Sequence, residues 1–262
     1  MVADGHRESG GEVATARQPS ALREHLPGLE PDRRVSDWGR SELIEGALDR
    51  GLYDFLYHYW FRVDVEGLEH VPASGGALLV ANRAGALPAD AAMIAKAVRE
   101  ATGRVVHFAT DRRLGATPGV DMLLVKAGAV GSHPANLQRL LYEEEELVLA
   151  FPETGPAHGL RGRYRLGRFD RLGPLAAAAH ARVPIVPVAV VGAEEAAPVL
   201  GRVRRLALST GVPLPAKIRL RFLAGSMAQR EEDLGALAAD LRALIQENVL
   251  ELVARRRSVW LG

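Results

Sequence analysis

The chain has 262 residues, of which 48% are hydrophobic and 25% charged, a composition that suits one large domain folded around a core. Its 33 lysines and arginines nearly balance 32 aspartates and glutamates, so the overall charge gives no support for nucleic-acid binding. The absence of cysteine excludes disulfides, cysteine-ligated zinc and a thiol nucleophile. No closely spaced histidines and carboxylates of the His-Glu-x-x-His kind occur, so we expect no metal and no cofactor.

The N-terminal region differs from the rest of the chain. Residues 1–37 are rich in glycine, proline, arginine and glutamate without periodicity, which predicts a disordered or loosely packed arm before a single domain at 38–262. The start of the chain has no apolar h-region, and no uncharged apolar stretch reaches 18 residues. We therefore expect a cytoplasmic protein without a transmembrane helix, with contact at the inner face of a membrane as an added alternative.

A helix is predicted from Ser41 onward, because apolar residues recur there at steps of three and four. Its second half, residues 52–61, is strongly aromatic. This half has two interpretations. It packs against a sheet, which we favour, or it dips into a membrane interface, helped by the arginine-rich C-terminal turn and Trp260.

Apolar runs alternate with helical patterns along the remaining chain. Strands are predicted at 62–66, 77–81, 104–109, 147–151, 185–191 and 217–223, the last as an edge strand. Helices are predicted at 89–98, about 118–127, about 134–146, 174–182 and from about 229 to the end. This order predicts an α/β fold with a mostly parallel central sheet and helices on both faces, where a site lies outside the carboxyl ends of the strands.

Three segments that follow predicted strands resemble motifs of the glycerolipid (lysophospholipid-type) acyltransferases, a family that includes the lysophosphatidate acyltransferases. The first is ANRAGALPAD at 81–90. The family has Asn-His, a short loop and Asp there, and one bacterial branch reads Asn-His-Ser-Gly-x-Leu-Pro-x-Asp. The residues that match this branch are Asn82, Gly85, Leu87, Pro88 and Asp90, whereas Arg83 replaces the histidine.

The second and third segments extend the resemblance over roughly residues 50–225. Phe151, Pro152 and Glu153 match the family's Phe-Pro-Glu-Gly motif, and Thr154 replaces its glycine. Residues 185–188 match an Ile-Val-Pro-Val strand, and GAVGSHPANLQRLL at 128–141 is similar to a glycine-containing acceptor loop. The added Cβ of Thr154 predicts strain or a displaced loop if that backbone needs a positive φ.

The resemblance implies acyl transfer from acyl-CoA or acyl-carrier protein to a hydroxyl, in which an imidazole oriented by a carboxylate takes the hydroxyl proton. Arg83 cannot do this, because a guanidinium is protonated at physiological pH and has no acceptor lone pair. Loss of a general base costs about 10²–10⁴-fold in rate. We expect Arg83 to pair with Asp90, and His133 in the acceptor loop is the candidate substitute base.

The resemblance also implies where the acceptor binds. It assigns substrate binding to the Glu153 motif and to the loop around Arg83; the residues concerned are Asn82, Gly85, Phe151, Pro152, Glu153 and Thr154. The loop after Glu153 is basic and includes Arg161, Arg163, Arg165 and Arg168. Such a cluster grips a phosphate or carboxylate, although a solvated basic loop explains the composition equally well.

Two functions therefore remain open from the sequence. One is an acyltransferase with an altered or weak mechanism, whose partners are a thioester donor and a lipid or small-molecule acceptor. The other is a non-catalytic member of the family that binds an acyl chain, a lipid or a partner protein. Hydrolysis of a thioester ranks last, because no Gly-x-Ser-x-Gly turn is present.

Overall fold

A computed structural model describes residues 36–83, 89–110, 125, 127–154, 163–196, 214–227 and 233–256. All of them belong to one unit, which runs from Arg34 to Gly262. The predicted N-terminal arm lies almost wholly outside the described residues, so its boundary at residue 37 stays a prediction.

The helices follow the apolar periodicity of the sequence. They are α1 (Glu42–Leu48), α2 (Ala89–Thr102), α3 (Pro134–Gln138), α4 (Gly173–Ala181), α5 (Ala193–Ala196) and α6 (Leu234–Ala254). Helix α1 continues as π-helical turns at Asp49–Tyr53 and Leu56–Trp60, and α3 continues as one at Arg139–Glu143. The predicted N-terminal helix therefore continues through Gly51 as a π-helical turn. The predicted helix at 118–127 lies largely outside the described residues.

The strands are short and most are deeply buried. They are β1 (Asp64–Glu66), β2 (Ala77–Ala81), β3 (Val106–Thr110), β4 (Ala129–Gly131), β5 (Leu147–Ala150), β6 (Glu153–Thr154), β7 (Arg168–Phe169), β8 (Pro184–Val191), β9 (Arg219–Phe222) and β10 (Ser226–Met227). The main sheet has the order β1-β9-β8-β2-β5-β3-β4, with β10 added against β8. Strands β6 and β7 form a separate two-stranded ribbon.

The main sheet is mostly parallel, which confirms the predicted α/β fold. The pairs β1–β9, β8–β2, β2–β5, β5–β3 and β3–β4 are parallel, whereas β9 and β10 run antiparallel to β8. The prediction that residues 217–223 form an edge strand is wrong, because β9 lies between β8 and β1. The alternation in β9 arises because Leu220 and Phe222 are buried in the core. Arg219 and Arg221, which alternate with them, pair with Asp64 and Glu66 of β1.

The core is divided by the sheet into two apolar clusters. Alternate residues of β2 belong to opposite clusters: Leu78 packs with α3, α4 and α6, and Leu79 packs with α2 and the aromatic helical segment. A strand with helices on both faces must be apolar at every position, which explains the uninterrupted run in β2. Among the described residues, no helix is long and apolar enough to cross a membrane.

Candidate active site

The carboxyl ends of β2, β3, β4 and β5 meet at one edge of the sheet and surround a cavity. Its volume is about 340 Å³. The lining includes two arginines, two hydroxyl side chains and apolar residues, among them Arg83, Arg171, Thr110, Ser132, Phe151 and Pro174. This is the edge at which parallel α/β sheets carry their ligands.

Asn82 has a buried and fully engaged side chain. It is 2% exposed, its Nδ2 donates to the carbonyl of Val190 at 3.0 Å, and its Oδ1 accepts from the Val190 N–H at 2.8 Å. These bonds tie the end of β2 to β8. Both polar atoms of the Asn82 side chain are thus bonded to Val190, and its assignment to substrate binding by resemblance stays a prediction.

Arg83 is exposed and borders the cavity. Its guanidinium carbon lies 5.8 Å from the centroid of the Phe151 ring, within the range of a cation–π contact. The expected ion pair with Asp90 is not among those that the described residues form. The Arg83 guanidinium therefore lies beside Phe151 at the cavity border and is not paired with the Asp90 carboxylate.

Asp90 lies in the first turn of α2 and is 3% exposed. Its Oδ1 accepts from the N–H of Ala91 at 2.9 Å, as an acidic residue at a helix start commonly does. Gly85, the other residue predicted from this motif, lies outside the described residues.

Glu153 connects three parts of the site. Its Oε2 accepts from the backbone N–H of Arg83 at 3.0 Å, and its Oε1 accepts from the N–H of Gly167 at 2.6 Å. A Cβ at Gly167 would lie 2.7 Å from the Thr154 carbonyl oxygen and 3.0 Å from Glu153 itself, so only glycine permits this approach. Glu153 thus links the backbone of Arg83 to that of Gly167, and its assignment to the acceptor stays a prediction.

Thr154 fits without the predicted strain. It belongs to β6, pairs with Arg168, and its hydroxyl donates to Asp170 Oδ2 at 3.0 Å. The described non-glycine residues with positive φ are Arg62, Glu145, Tyr164 and Arg182, so Thr154 is not one of them. Pro152, from the same motif, is buried, and its carbonyl accepts from the N–H of Arg171 at 3.2 Å.

None of the three described members of the predicted arginine cluster lines the cavity. The Arg163 guanidinium lies 6.0 Å from the Tyr164 ring, Arg165 is exposed, and Arg168 pairs with Asp170 at 3.3 Å. Arg161 lies outside the described residues. The second cavity arginine is Arg171, which the motif comparison missed because it follows β7 and belongs to no quoted motif.

Two of the described histidines, His133 and His107, lie in different environments. His133 is exposed at the start of α3, and its Nδ1 accepts from the N–H of Ala135 at 3.3 Å. His133 Nδ1 is thus bonded to the first turn of α3. His107 lies near the amino end of β3, and burial, with a smaller effect of Arg40, lowers its pKa to about 4.

A buried carboxyl pair at α5 was not predicted. Burial, followed by repulsion from Glu195, raises the pKa of Glu194 to about 7. Glu194 Oε2 accepts from the N–H of Tyr164 at 3.3 Å, while Glu195 accepts from the Tyr164 hydroxyl and from Arg256. Two adjacent acids directly after a buried strand were the sequence signal for this cluster.

One group of described residues has metal-ligand geometry, but a lysine ammonium already lies beside its carboxylates. Asp54, His58 and Glu100 bring their ligand atoms within 4.8 Å of one another. The Lys96 ammonium lies 3.3 Å from both carboxylates and neutralises them. The group is therefore an ion-pair network between α2 and the N-terminal helical segment.

The mixed sheet, its two helical layers and the cavity at the strand ends define an α/β protein of the kind that binds ligands at the carboxyl ends of its strands. A family model described as Acyltransferase matches residues 62–191, from the residues before β1 to the end of β8. The crystal structure of the 1-acyl-sn-glycerophosphate (LPA) acyltransferase PlsC from Thermotoga maritima has a similar fold, with a TM-score of 0.58 and 20% identity over 81% of this chain and 80% of that one.

Two mycobacterial proteins are similar over most of their length. Uncharacterized protein ML2427 of Mycobacterium leprae is 32% identical over 99% of this chain and 82% of its own. Uncharacterized protein Rv0502 of Mycobacterium tuberculosis is 33% identical over 92% of this chain and 75% of its own. The chain belongs to the Acyltransferase family, in agreement with the resemblance of its motifs.

Proposed function

We propose that this protein transfers an acyl group from acyl-CoA or acyl-carrier protein to a lipid or small acceptor that carries a phosphate or carboxylate. The observation that carries the proposal is the cavity at the strand ends, whose lining includes Arg83 and Arg171. Arginine forks bind phosphate and carboxylate oxygens bidentately. Thr110 and Ser132 add hydroxyl groups to the same lining.

Arg83 makes the proposed reaction slow. It stands where the family has its base, and a guanidinium can bind an anion or stabilise developing negative charge but cannot take up a proton. The rate should therefore be about 10²–10⁴-fold below that of a histidine-containing relative with the same acceptor. An acceptor with a nucleophile that needs no deprotonation would lose less.

Binding without turnover is the second candidate function. This function is favoured because the carboxylate and the imidazole near the site already accept backbone hydrogen bonds. Glu153 accepts two N–H groups, and His133 accepts the N–H of Ala135. Among the described residues that line the cavity, none has a side chain that accepts a proton at neutral pH. The anion would then be held and not acylated.

An assay of the natural protein beside its Arg83→His variant distinguishes the two functions. Both are incubated with acyl-CoA and lysophosphatidate, and products are identified by mass spectrometry. The acyltransferase proposal predicts slow product formation by the natural protein, a gain of about 10²-fold or more in the variant, and loss on Asp90→Ala. Product from the variant alone favours the binding function. Arg165→Ala, at an exposed arginine away from the cavity, is the matched control.

Contact with a membrane surface fits a lipid acceptor. The N-terminal helical segment exposes four large apolar side chains, Leu43, Leu52, Phe55 and Tyr59. Its charged residues Asp49 and Asp54 instead reach Lys96 on α2. A segment with one apolar exposed face and one face fastened to the domain suits shallow insertion between lipid headgroups.

A further inference from the structure

A four-residue strap, Tyr164–Gly167, lies between the sheet edge and the C-terminal helix α6. Arg242 on α6 donates to the carbonyl of Gly167 at 2.6 Å and to that of Leu166 at 2.8 Å. Gln246, one turn further, donates to the carbonyl of Tyr164 and accepts from the N–H of Leu166, both at 2.8 Å. Two side chains thus satisfy four backbone groups of the strap.

Tyr164 is held in a costly backbone conformation. Its φ is +64°, a region that a non-glycine residue occupies only when its surroundings impose it. The surroundings do so here: its N–H, carbonyl and hydroxyl contact Glu194, Gln246 and Glu195 respectively. The strap is therefore placed by its contacts and not by its intrinsic preference.

The other end of the strap leads directly to Arg83. The Gly167 N–H donates to one oxygen of Glu153, and the other oxygen accepts from the Arg83 N–H. A continuous series of hydrogen bonds therefore runs from α6 through Gly167 and Glu153 to the backbone that carries the cavity arginine. Because both oxygens of the Glu153 carboxylate accept hydrogen bonds, a shift of Gly167 should displace the Arg83 backbone as well.

We propose that Arg242 and Gln246 are positioning residues, which place Glu153 and, through it, Arg83 at the cavity. This inference rests on the proposed function, because it assigns these residues a role at that same site. The proposal gives helix α6 a role besides core packing. The helix lies outside residues 62–191, which the family model matches.

Core packing alone does not explain Arg242 and Gln246. Helix α6 contributes to the core through a different set of side chains, Leu237, Ala238, Leu241, Ile245, Val249 and Leu252. Arg242 and Gln246 make their hydrogen bonds to peptide groups of the strap. Replacing them should therefore displace the strap while the helix stays packed.

The test compares Arg242→Met and Gln246→Leu, which keep side-chain bulk, with Glu247→Leu at an exposed neighbour on the same helix. Inorganic phosphate is titrated by NMR as a probe of the cavity, and kcat and KM are measured with acyl-CoA and lysophosphatidate. We expect about tenfold weaker phosphate binding and a higher KM in the first two variants. The control should match the natural protein, and Arg242→Lys, which can restore one bond, should recover part of the affinity.

Hydrogen exchange at the Arg83 amide gives a readout that does not need binding or turnover. Exchange of the strap and of Arg83 is compared after denaturant unfolding has shown equal global stability. Faster exchange at both places supports positioning, whereas faster exchange in the strap with an unchanged Arg83 amide and unchanged phosphate affinity overturns it. If the natural protein binds no phosphate and forms no product, the proposed function fails, and the Arg83 amide alone decides the positioning role.

Discussion

Two segments of this protein are attached to neighbouring helices by contrasting kinds of polar contact. The N-terminal helical segment is held by side-chain ion pairs: Lys96 reaches Asp49, Asp54 and Glu100 at 3.3–3.4 Å. The strap Tyr164–Gly167 is held by hydrogen bonds to its peptide groups from Arg242 and Gln246. Ion pairs between long side chains tolerate small shifts, whereas bonds to successive peptide groups fix the backbone itself.

The difference matches what each segment exposes. The ion-paired segment presents Leu52, Phe55 and Tyr59 to the outside, and a fluid lipid surface needs no exact placement of such groups. The strap supports Glu153 and Arg83, where a small displacement of a charged group costs binding or rate. Substitutions in both segments test whether this division holds.

The largest effect is expected at Glu153, since its carboxylate joins the strap to the cavity. Glu153→Ala removes two charge-assisted hydrogen bonds, so phosphate affinity or acyl transfer should fall about 100-fold. Glu153→Gln keeps one acceptor oxygen and should lose about tenfold. Titration with inorganic phosphate measures both. Glu69→Ala, at an exposed glutamate, is the control, and an equal loss there would contradict the assignment.

Lys96→Met breaks the fastening of the N-terminal segment. Burial lowers the pKa of this ammonium, but contacts with Glu100, Asp49 and Asp54 outweigh burial and hold the pKa above its usual value. Removing it leaves three carboxylates without their cation, and the free energy of unfolding should fall by about 3 kcal/mol. Urea denaturation measures this change.

Arg99→Met is the matched control for Lys96, because Arg99 lies on the same helix and pairs with Glu45 while 30% exposed. Its loss should cost at most about 1 kcal/mol. Cavity affinity for phosphate should stay unchanged in both variants. A loss of affinity in Lys96→Met would show that the two fastenings are coupled.

Glu194 makes the strap region sensitive to pH. Its pKa is raised from 4.5 to about 7 in the folded chain, so the folded state binds more protons than the unfolded state between these values. Stability is therefore greatest below about pH 4.5 with respect to this group and falls as the pH rises to 7, by about 2 kcal/mol. Urea denaturation of Glu194→Gln across this range should lack that decline.

His107 provides the opposite slope for comparison. Its pKa is lowered to about 4, so the unfolded state binds the extra proton first and stability falls as the pH drops from 6.5 to 4. His107→Gln should remove this acid loss and leave the Glu194 decline in place. If Glu194→Gln and the natural protein behave alike between pH 4.5 and 7, the raised pKa is refuted.

The smallest effect on folding is expected on the exposed aromatic face. Phe55→Ser with Tyr59→Ser should change the free energy of unfolding by less than about 0.5 kcal/mol, because surface substitutions rarely do more. Flotation with vesicles that contain anionic lipid should nevertheless decrease several-fold. Tyr142→Ser, at another exposed aromatic residue outside the segment, should float like the natural protein. Equal flotation of all three proteins would contradict membrane contact.

The sheet could be predicted from local patterns, whereas the roles at the site could not. The apolar runs of β2 and β8 predict strands buried on both faces because that signal lies within five to eight consecutive residues. Asn82 and Glu153 were found by their motifs, but their hydrogen bonds go to Val190, Arg83 and Gly167. Such partners become neighbours only when the sheet order is known.

Arg171 and β9 illustrate the same limit. Arg171 lines the cavity from the position just after the β6–β7 pair, and no spacing in the sequence encodes that placement. The alternation in β9 resembles an edge strand, although its polar face is covered by acids from β1 and α6. Local periodicity shows which side chains are polar, but it does not show which residues contact them in the fold.

The pairing of β1 with β9 has a consequence for synthesis of the chain. Glu66 and Arg221, which meet across this pair, are 155 residues apart. At roughly 5–20 residues per second, β1 leaves the ribosome about 8–30 s before its partner. During that interval its backbone is open to mispairing with other nascent chains, and the outward acids Asp64 and Glu66 give it a repulsive charge that discourages such aggregation.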